Sequence, residues 1–427
     1  MVKQWQFQNK RRPGAYINFV SDPSHQPANN SGISVFILEN KWGDEDKFVR
    51  VDYRTDFTQL VGLSLEEILP VRETLKASDT MLVYLPKYEG SEKASNETGD
   101  LKVTATKRGS LGNELAVIVN IQTDSTATVT TTYRNRIVDI QSGLTNLPEG
   151  NGFVTFEGSM PLSDVTLQLA GGTDGTLTNN VALEFLAGLD QQEFTHIALG
   201  NVDQTVKELA VDKVNELRSL GNPVFLVTSN FAGDNEAVIS VSNGVTLKDG
   251  TVLTNDDAVY WIAAAQAVAG TRSLTYAEYP DAIDVERKSN DEIIVLLNQG
   301  HIVFTYHNGD VVIEQDINTS TSFDGDKSSD WSKNKIMRTM AVIEREIREL
   351  FKKQFIGKMH NNLDGRENFK ASLITLILDP LADNNAIQYD ASTIEVVEGS
   401  SKEAIVVNLP IYIVDAMEKL YMTVLVS

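Results

Sequence analysis

Apolar residues at Ile336, Met340, Ile343, Ile347, Leu350, Phe351 and Phe355 step by three or four along the chain. That spacing places them on one stripe of a helix. The pattern predicts a long amphipathic helix over residues 334–356, preceded by a turn-rich run at 323–330. Ser332 or Asp330 is placed to cap its start, because a side-chain oxygen there accepts from an orphan amide, and Gly357 is placed to end it in a left-handed conformation. A second face carries Arg345, Arg348 and Lys352 at the same spacing, with Glu344, Glu346 and Glu349 interspersed. The apolar face reads as core, the basic face as a candidate docking surface.

Elsewhere the period changes. Residues 33–38 form a nearly continuous apolar run, as a buried strand does. Helical segments at 64–69 and 70–75 and a strand at 81–85 follow, an α/β organisation. From residue 89 the composition shifts to Ser, Glu, Asn and Thr, and short Thr- and Val-rich runs at 103–106, 115–121, 126–133, 136–140 and 152–156 carry no helical period. They predict an antiparallel β-sandwich inserted into the α/β body. After Gly175 a strand at 194–199, a helix at 203–220 with Val206, Leu209, Val214 and Leu217, and a strand at 224–228 make one βαβ unit with a parallel pair. The helix expected over 256–270 holds Ala258, Ala263, Ala264, Ala265, Ala267 and Ala269. Side chains that small permit close approach to a sheet and argue for burial. Runs at 293–297 and 302–306 lead back to the long helix; a helix at 373–378, a strand at 393–397 and a strand-like stretch at 404–414 around Pro410 follow it.

Both ends are β-prone. Arg12-Pro13-Gly14 breaks structure, residues 15–19 with Tyr16, Ile17 and Phe19 read as a short strand, and 21–32 are a linker rich in Pro, Ser and Asn. Such a strand either edges its own sheet or joins another subunit's. At the other end Leu420, Met422, Val424 and Val426 alternate with Tyr421, Thr423 and Leu425, a strand with one strongly apolar face. Burying four aliphatic side chains contributes roughly 6–12 kcal/mol, against roughly 10–20 kcal/mol for ordering about ten residues. A lone arm therefore gains little from ordering. Addition to a ready-made sheet, repeated over many contacts, makes it favourable, which suits a subunit that polymerises cooperatively.

The chain has 427 residues, enough for two to four domains, and no cysteine, which excludes disulfides and thiolate metal sites. Its first ten residues lack an apolar signal-peptide core and no apolar run approaches bilayer length, so neither export by the common signal route nor direct membrane insertion is expected. The net charge is −22, from 59 acidic and 37 basic residues, and the densest basic clusters, Lys10-Arg11-Arg12 and Lys352-Lys353, are short. Nucleic acid is not an expected partner.

Candidate chemistry is thin. The best Ser-His-Asp trio is Ser229, His196 and Asp203, but no Gly-x-Ser-x-Gly elbow surrounds Ser229 and nothing marks an oxyanion hole. Asp324, Asp326 and Asp330 echo a calcium loop, yet Ser329 stands where glycine belongs and Lys335 where the bidentate glutamate belongs. Gly171-Gly172-Thr173-Asp174-Gly175 lacks the Lys-Ser/Thr ending of a phosphate loop, and Gly357-Lys358 lacks its upstream glycine. No catalytic, cofactor or metal residue is expected.

Several phrases resemble the tail sheath proteins of contractile bacteriophages, in particular those of phages and prophages of Gram-positive bacteria. They are Arg12-Pro13-Gly14-Ala15-Tyr16-Ile17, Arg108-Gly109-Ser110-Leu111-Gly112-Asn113, Leu169-Ala170-Gly171-Gly172-Thr173-Asp174-Gly175, Val268-Ala269-Gly270 with Ser273-Leu274-Thr275-Tyr276, Asp316-Ile317-Asn318-Thr319, Lys333-Asn334-Lys335-Ile336-Met337-Arg338, and Phe355-Ile356-Gly357-Lys358 with Asn361. The resemblance spans nearly the whole chain. It implies a multidomain α/β and β protein: a subtilisin-like α/β core with an inserted β-sandwich domain, an α+β C-terminal domain and extended N- and C-terminal β-arms. The expected divisions are an arm and linker at 1–32, the first part of the body at 33–90, the sandwich at 91–180, the subtilisin-like domain at 181–320, a C-terminal domain at 321–403 and an arm at 404–427.

The implied function is structural. Hexameric rings would stack around an inner tube and contract to drive it through a target envelope, with copies of itself, the tube protein, and baseplate and tail terminator proteins as partners. The virion tail is the implied location, after assembly in the host bacterial cytoplasm. Tyr16, Ile17, Phe19, Leu420, Met422, Val424 and Val426 would weave subunits together, and Arg345, Arg348 and Lys352 would face the tube. Two alternatives stay open: the sheath of a headless contractile bacteriocin or injection system, and an α/β hydrolase using His196 and Ser229.

Overall fold

A computed structural model describes residues 32–425 apart from Asn179, Asp324 and Asp326. Tyr16, Ile17, Phe19 and Val426 lie outside the described residues, as do two of the three aspartates of the calcium-like run. The architecture is mixed α/β with several sheets. The chain divides into two compact units, one of Phe36–Arg72 and Asp79–Gln192, the other holding Glu73–Ser78 and everything described from Glu193 onward, with the residues up to Val35.

In the first unit, Lys47–Asp52 and Thr80–Leu85 form an antiparallel pair. The first of these strands escaped the sequence pattern because charged Lys47, Arg50 and Asp52 punctuate it. Two further antiparallel sheets share one core. Leu101–Ala105 lies between Ser95–Thr98 and Val154–Glu157, while Leu115–Ile121 and Ala127–Tyr133 lie between Val165–Gln168 and Arg136–Leu144. Alternation decides the faces: Leu101, Val103, Leu115, Val117, Val119 and Val129 all turn inward around Trp42. The tight turn from Tyr133 to Arg136 holds Arg134 and Asn135 at φ of 49° and 60°, the left-handed conformations that a two-residue hairpin requires.

In the second unit a parallel sheet runs in the order His301–Ile302, Val238–Val241, Phe225–Ser229, His196–Leu199, with Ser34 and Val35 pairing to His196 and Ile197. The expected βαβ helix is Gln204–Ser219, capped by Asp203, whose carboxylate accepts from Val206 N at 2.9 Å. The alanine-rich helix is Asn255–Ala269; a Thr254–Asp257 capping box opens it, and ten of its residues are buried. The apolar run at 293–297 is helical, within Asn290–Asn298, and begins at a Ser289–Glu292 capping box.

The long helix spans Asn334–Leu350 and continues as a π-helical turn, Phe351–Phe355, before Gly357 takes φ 70°. Its start corrects the expected cap: Lys333 occupies the N-cap with no side-chain hydrogen bond, while Asp330 and Ser332 belong to a short 3-10 turn, Ser329–Ser332, capped by Ser328. The helix expected over 373–378 begins ten residues earlier, as Leu363–Leu373, because Asn362 accepts from Gly365 N at 2.8 Å and starts a segment too polar to show an apolar stripe. Ile336, Ile343, Leu350, Phe355, Phe369, Leu373, Ile387 and Ile413 enclose one core between these helices and two antiparallel pairs, Ile387–Tyr389 with Ile411–Ile413 and Glu395–Glu398 with Ile405–Asn408. Pro410, which has no amide to donate, separates the last two strands. Among the described residues no helix is long and apolar enough to cross a membrane.

Candidate assembly interface

Phrases far apart in the sequence meet at one buried polar junction in the second unit. Arg338 projects from the long helix. It donates from Nε to Gly270 O at 3.0 Å and from Nη2 to Asp316 Oδ2 at 3.0 Å, and it also contacts Gln266 and Arg272 O. Asp316 in turn accepts from Leu274 N at 2.9 Å, Gln266 Nε2 at 2.7 Å and Asn334 Nδ2 at 2.9 Å. Arg338 is 3 % exposed and Asp316 is 1 % exposed. Burial alone would raise the Asp316 carboxyl, but the Arg338 charge and the converging donors hold it below 3.8, so the ion pair persists. Asn318 adds a bond from Nδ2 to Trp331 O at 2.8 Å. This junction fixes the long helix against the alanine-rich helix.

An equivalent joint orders the first unit. Asn113 exchanges two hydrogen bonds with Gly172, at 2.8 and 2.9 Å, and Ser110 N donates to Asp174 Oδ1 at 2.6 Å. Gly109 passes so close to the backbone that a Cβ there would lie 2.1 Å from Lys41 O.

The basic stripe of the long helix is divided in use. Arg345 lines a cavity of about 20 Å³ with His196, Gln266 and Arg338. Arg348 donates from Nη1 to Asn222 Oδ1 at 2.8 Å and lies 3.5 Å from Glu344. Burial pushes Glu344 up to about 7, against the opposing pull of Arg218, Arg348 and Arg345. Lys352 reaches solvent beside Glu349, at 3.6 Å, as does Lys353 at 2.9 Å.

The Ser-His-Asp trio is not assembled. His196 pairs with Phe225 across the sheet and Ser229 lies four residues further along, roughly 13 Å away at 3.3 Å per residue. His196 is buried and its Nδ1 contacts Thr195 Oγ1 at 3.0 Å; burial first, then Arg338 and Arg345, push it well below its ordinary value and keep it neutral. Ser229 is 1 % exposed, donates its hydroxyl to Asp256 and accepts from Lys207 Nζ at 3.2 Å. Lys207 also donates to Ser229 O at 2.7 Å. Asp203 is spent as a helix cap. Ser229, Lys207 and Asp256 satisfy one another, while the buried His196 Nε2 meets no hydrogen-bond partner and does not reach Ser229, so the set presents no activated nucleophile.

Past Ile413 the chain leaves regular structure: residues 414–425 form no strand. Leu420, Met422 and Val424 are 84 %, 73 % and 66 % exposed, as are Tyr421 and Leu425 on the alternate positions. Among the described residues, the alternation at the C-terminus is thus present in sequence without a sheet to receive it.

Comparison with known proteins places this architecture. Residues 175–319 match the family described as phage tail sheath protein central domain, and residues 326–427 the phage tail sheath C-terminal domain. The XkdK protein of the phage-like element PBSX of Bacillus subtilis is 30 % identical over 98 % of both chains. The crystal structure of a sheath tail protein from Desulfitobacterium hafniense superposes with a TM-score of 0.82 at 32 % identity, covering 96 % of this chain and 99 % of that one. A helical sheath of the anti-feeding prophage, solved in a contracted state, shares the fold at a TM-score of 0.58 and 12 % identity, over 97 % and 99 %. With matched domains covering more than half of its length and relatives aligned nearly end to end, this chain belongs to the phage tail sheath family, and it is a structural protein of a phage or prophage tail rather than an enzyme.

Proposed function

We propose that this chain polymerises as hexameric rings stacked around an inner tube, and that the stack shortens and widens to drive the tube into a target cell envelope. The observation that carries the proposal is the exposed C-terminal segment, in which Leu420, Met422 and Val424 keep strand alternation while no strand among the described residues pairs with them. Such a segment gains its hydrogen bonds and its apolar burial together when it adds to a neighbour's sheet. Tyr16, Ile17, Phe19 and Val426 take the corresponding roles at the two ends, and woven arms act as hinges while the α/β bodies, of subtilisin-like topology, rotate. The likeness in fold to a sheath solved in a contracted helical state supports this reading.

Tube contact, first expected of Arg345, Arg348 and Lys352, is assigned chiefly to Lys352 with Lys353, since Arg348 is engaged by Asn222 and Arg345 lines a cavity of the body. The tube protein, baseplate and tail terminator are the partners, and assembly takes place in the host cytoplasm. The sheath of a headless bacteriocin or injection system is the same proposal in another genome. Sedimentation velocity tests it: the intact chain forms species of ring size or larger as concentration rises, whereas a monomer at every concentration and salt, with and without tube protein, overturns it.

A further inference from the structure

Between the core and the exposed arm lies a short segment with a different character. Glu418 is held from two sides: Thr275 Oγ1 donates to its Oε1 at 2.8 Å, and Lys333 Nζ contacts its Oε2. Lys333 also lies 3.6 Å from Asp415 Oδ2. Thr275 is itself fixed, because its hydroxyl oxygen accepts from Asp316 N at 3.0 Å. The arm is therefore wired to the buried Arg338–Asp316 junction through two hydrogen bonds. Beyond it the character changes: Leu420 to Leu425 are all exposed.

We infer that Lys333, Thr275 and Glu418 form a clasp that fixes where the C-terminal arm leaves the body, and that the arm pivots at Lys419 rather than at the last core strand, Ile411–Ile413. The partner served is a second copy of this chain, so the inference rests on the polymerisation reading above. The physical reason is entropic. An arm loose from residue 414 would sample a wide volume and would lose all of that freedom on docking, whereas one anchored at residue 418 has only the residues beyond it to order. The clasp is polar and only partly buried, with Lys333 20 % and Glu418 11 % exposed, so it holds position without contributing much to folding.

The absence of cysteine makes a clean test available. Nitroxide labels are placed on Arg272→Cys and Met417→Cys in the full, unassembled chain, and in a second sample on Arg272→Cys and Tyr421→Cys. The 272–417 distance distribution is expected to be narrow and the 272–421 distribution broad. Glu418→Ala, which removes both the Thr275 and the Lys333 contact, is expected to broaden 272–417 to the width of 272–421, and Glu418→Gln, which keeps an acceptor, to fall between. A 272–417 distribution already as broad as 272–421 in the otherwise unaltered chain, or one unchanged by Glu418→Ala, overturns the clasp. A control pair within the body, Arg272→Cys with Glu278→Cys, reports whether each variant is folded. Because the labels are read before assembly, a clamped arm on a chain that never polymerises contradicts the polymerisation reading alone, and a loose arm on a chain that does polymerise contradicts the clasp alone.

Discussion

Arg338 and Asp316, separated by 22 residues, meet 3.0 Å apart in the interior, where the arginine also holds the carbonyl of Gly270. A buried pair is costly to break from one side, since the remaining charge loses its partner and keeps its desolvation. Arg338→Met is expected to lower stability by about 3–5 kcal/mol, and Asp316→Leu by a similar amount, with the double variant losing less than the sum. Urea denaturation of the four proteins checks this.

The acid limb of stability has its sign set by the same pair. The folded pKa of Asp316 lies below its ordinary 3.8, so its contribution is full above that value and is lost as pH falls through the folded pKa. Glu344 acts in the opposite direction: with a folded pKa of about 7 against an ordinary 4.5, the folded state binds the extra proton between those values, and stability falls as pH rises from 4.5 to 7. Glu344→Gln is expected to flatten that decline. Equal slopes for both proteins over this window would contradict the assignment.

Two glycines separate steric from conformational demands. Gly109 has φ 113° and a Cβ there would meet Lys41 O at 2.1 Å, whereas Gly357 has φ 70° with nothing within 4 Å. Gly357→Ala is expected to cost about 1 kcal/mol, and Gly109→Ala about 2–4 kcal/mol, because backbone must move as well. Thermal unfolding of each variant distinguishes them.

Ser229 is expected to be unreactive. Its hydroxyl is buried and shared between Asp256 and Lys207, and His196 lies elsewhere on the sheet. A fluorophosphonate probe should leave the folded protein unlabelled at every pH where it remains folded; labelling lost in Ser229→Ala would contradict this.

Much of the fold is legible from period alone. The stripe from Ile336 to Phe355, the alanine-rich helix and the parallel pairing of 196–199 with 225–228 follow from spacing, because one face of each element meets a core. The helix Leu363–Leu373 is not legible, since only Gly365, Phe369 and Leu373 of its eleven residues are buried. Nor is the division of the basic stripe. Spacing places Arg345, Arg348 and Lys352 on one face, but which of them meets solvent depends on Asn222 and His196, brought there by other elements. The Glu418 clasp is illegible for the same reason: Thr275 lies 143 residues away. Motifs that carry the family resemblance are easier to find than to explain in sequence; the structure explains them as joints, with Asn113 against Gly172 and Arg338 against Asp316.

The most direct measurement is negative-stain electron microscopy of the intact chain beside one ending at Lys419, which keeps the core strands Ile405–Asn408 and Ile411–Ile413 and removes only the exposed arm. Rings or tubes from the intact chain and dispersed, folded particles from the shortened one are expected. Rings or tubes from both would show that the arm does not carry the assembly, and dispersed particles from both, across concentration and salt and with tube protein present, would contradict polymerisation itself.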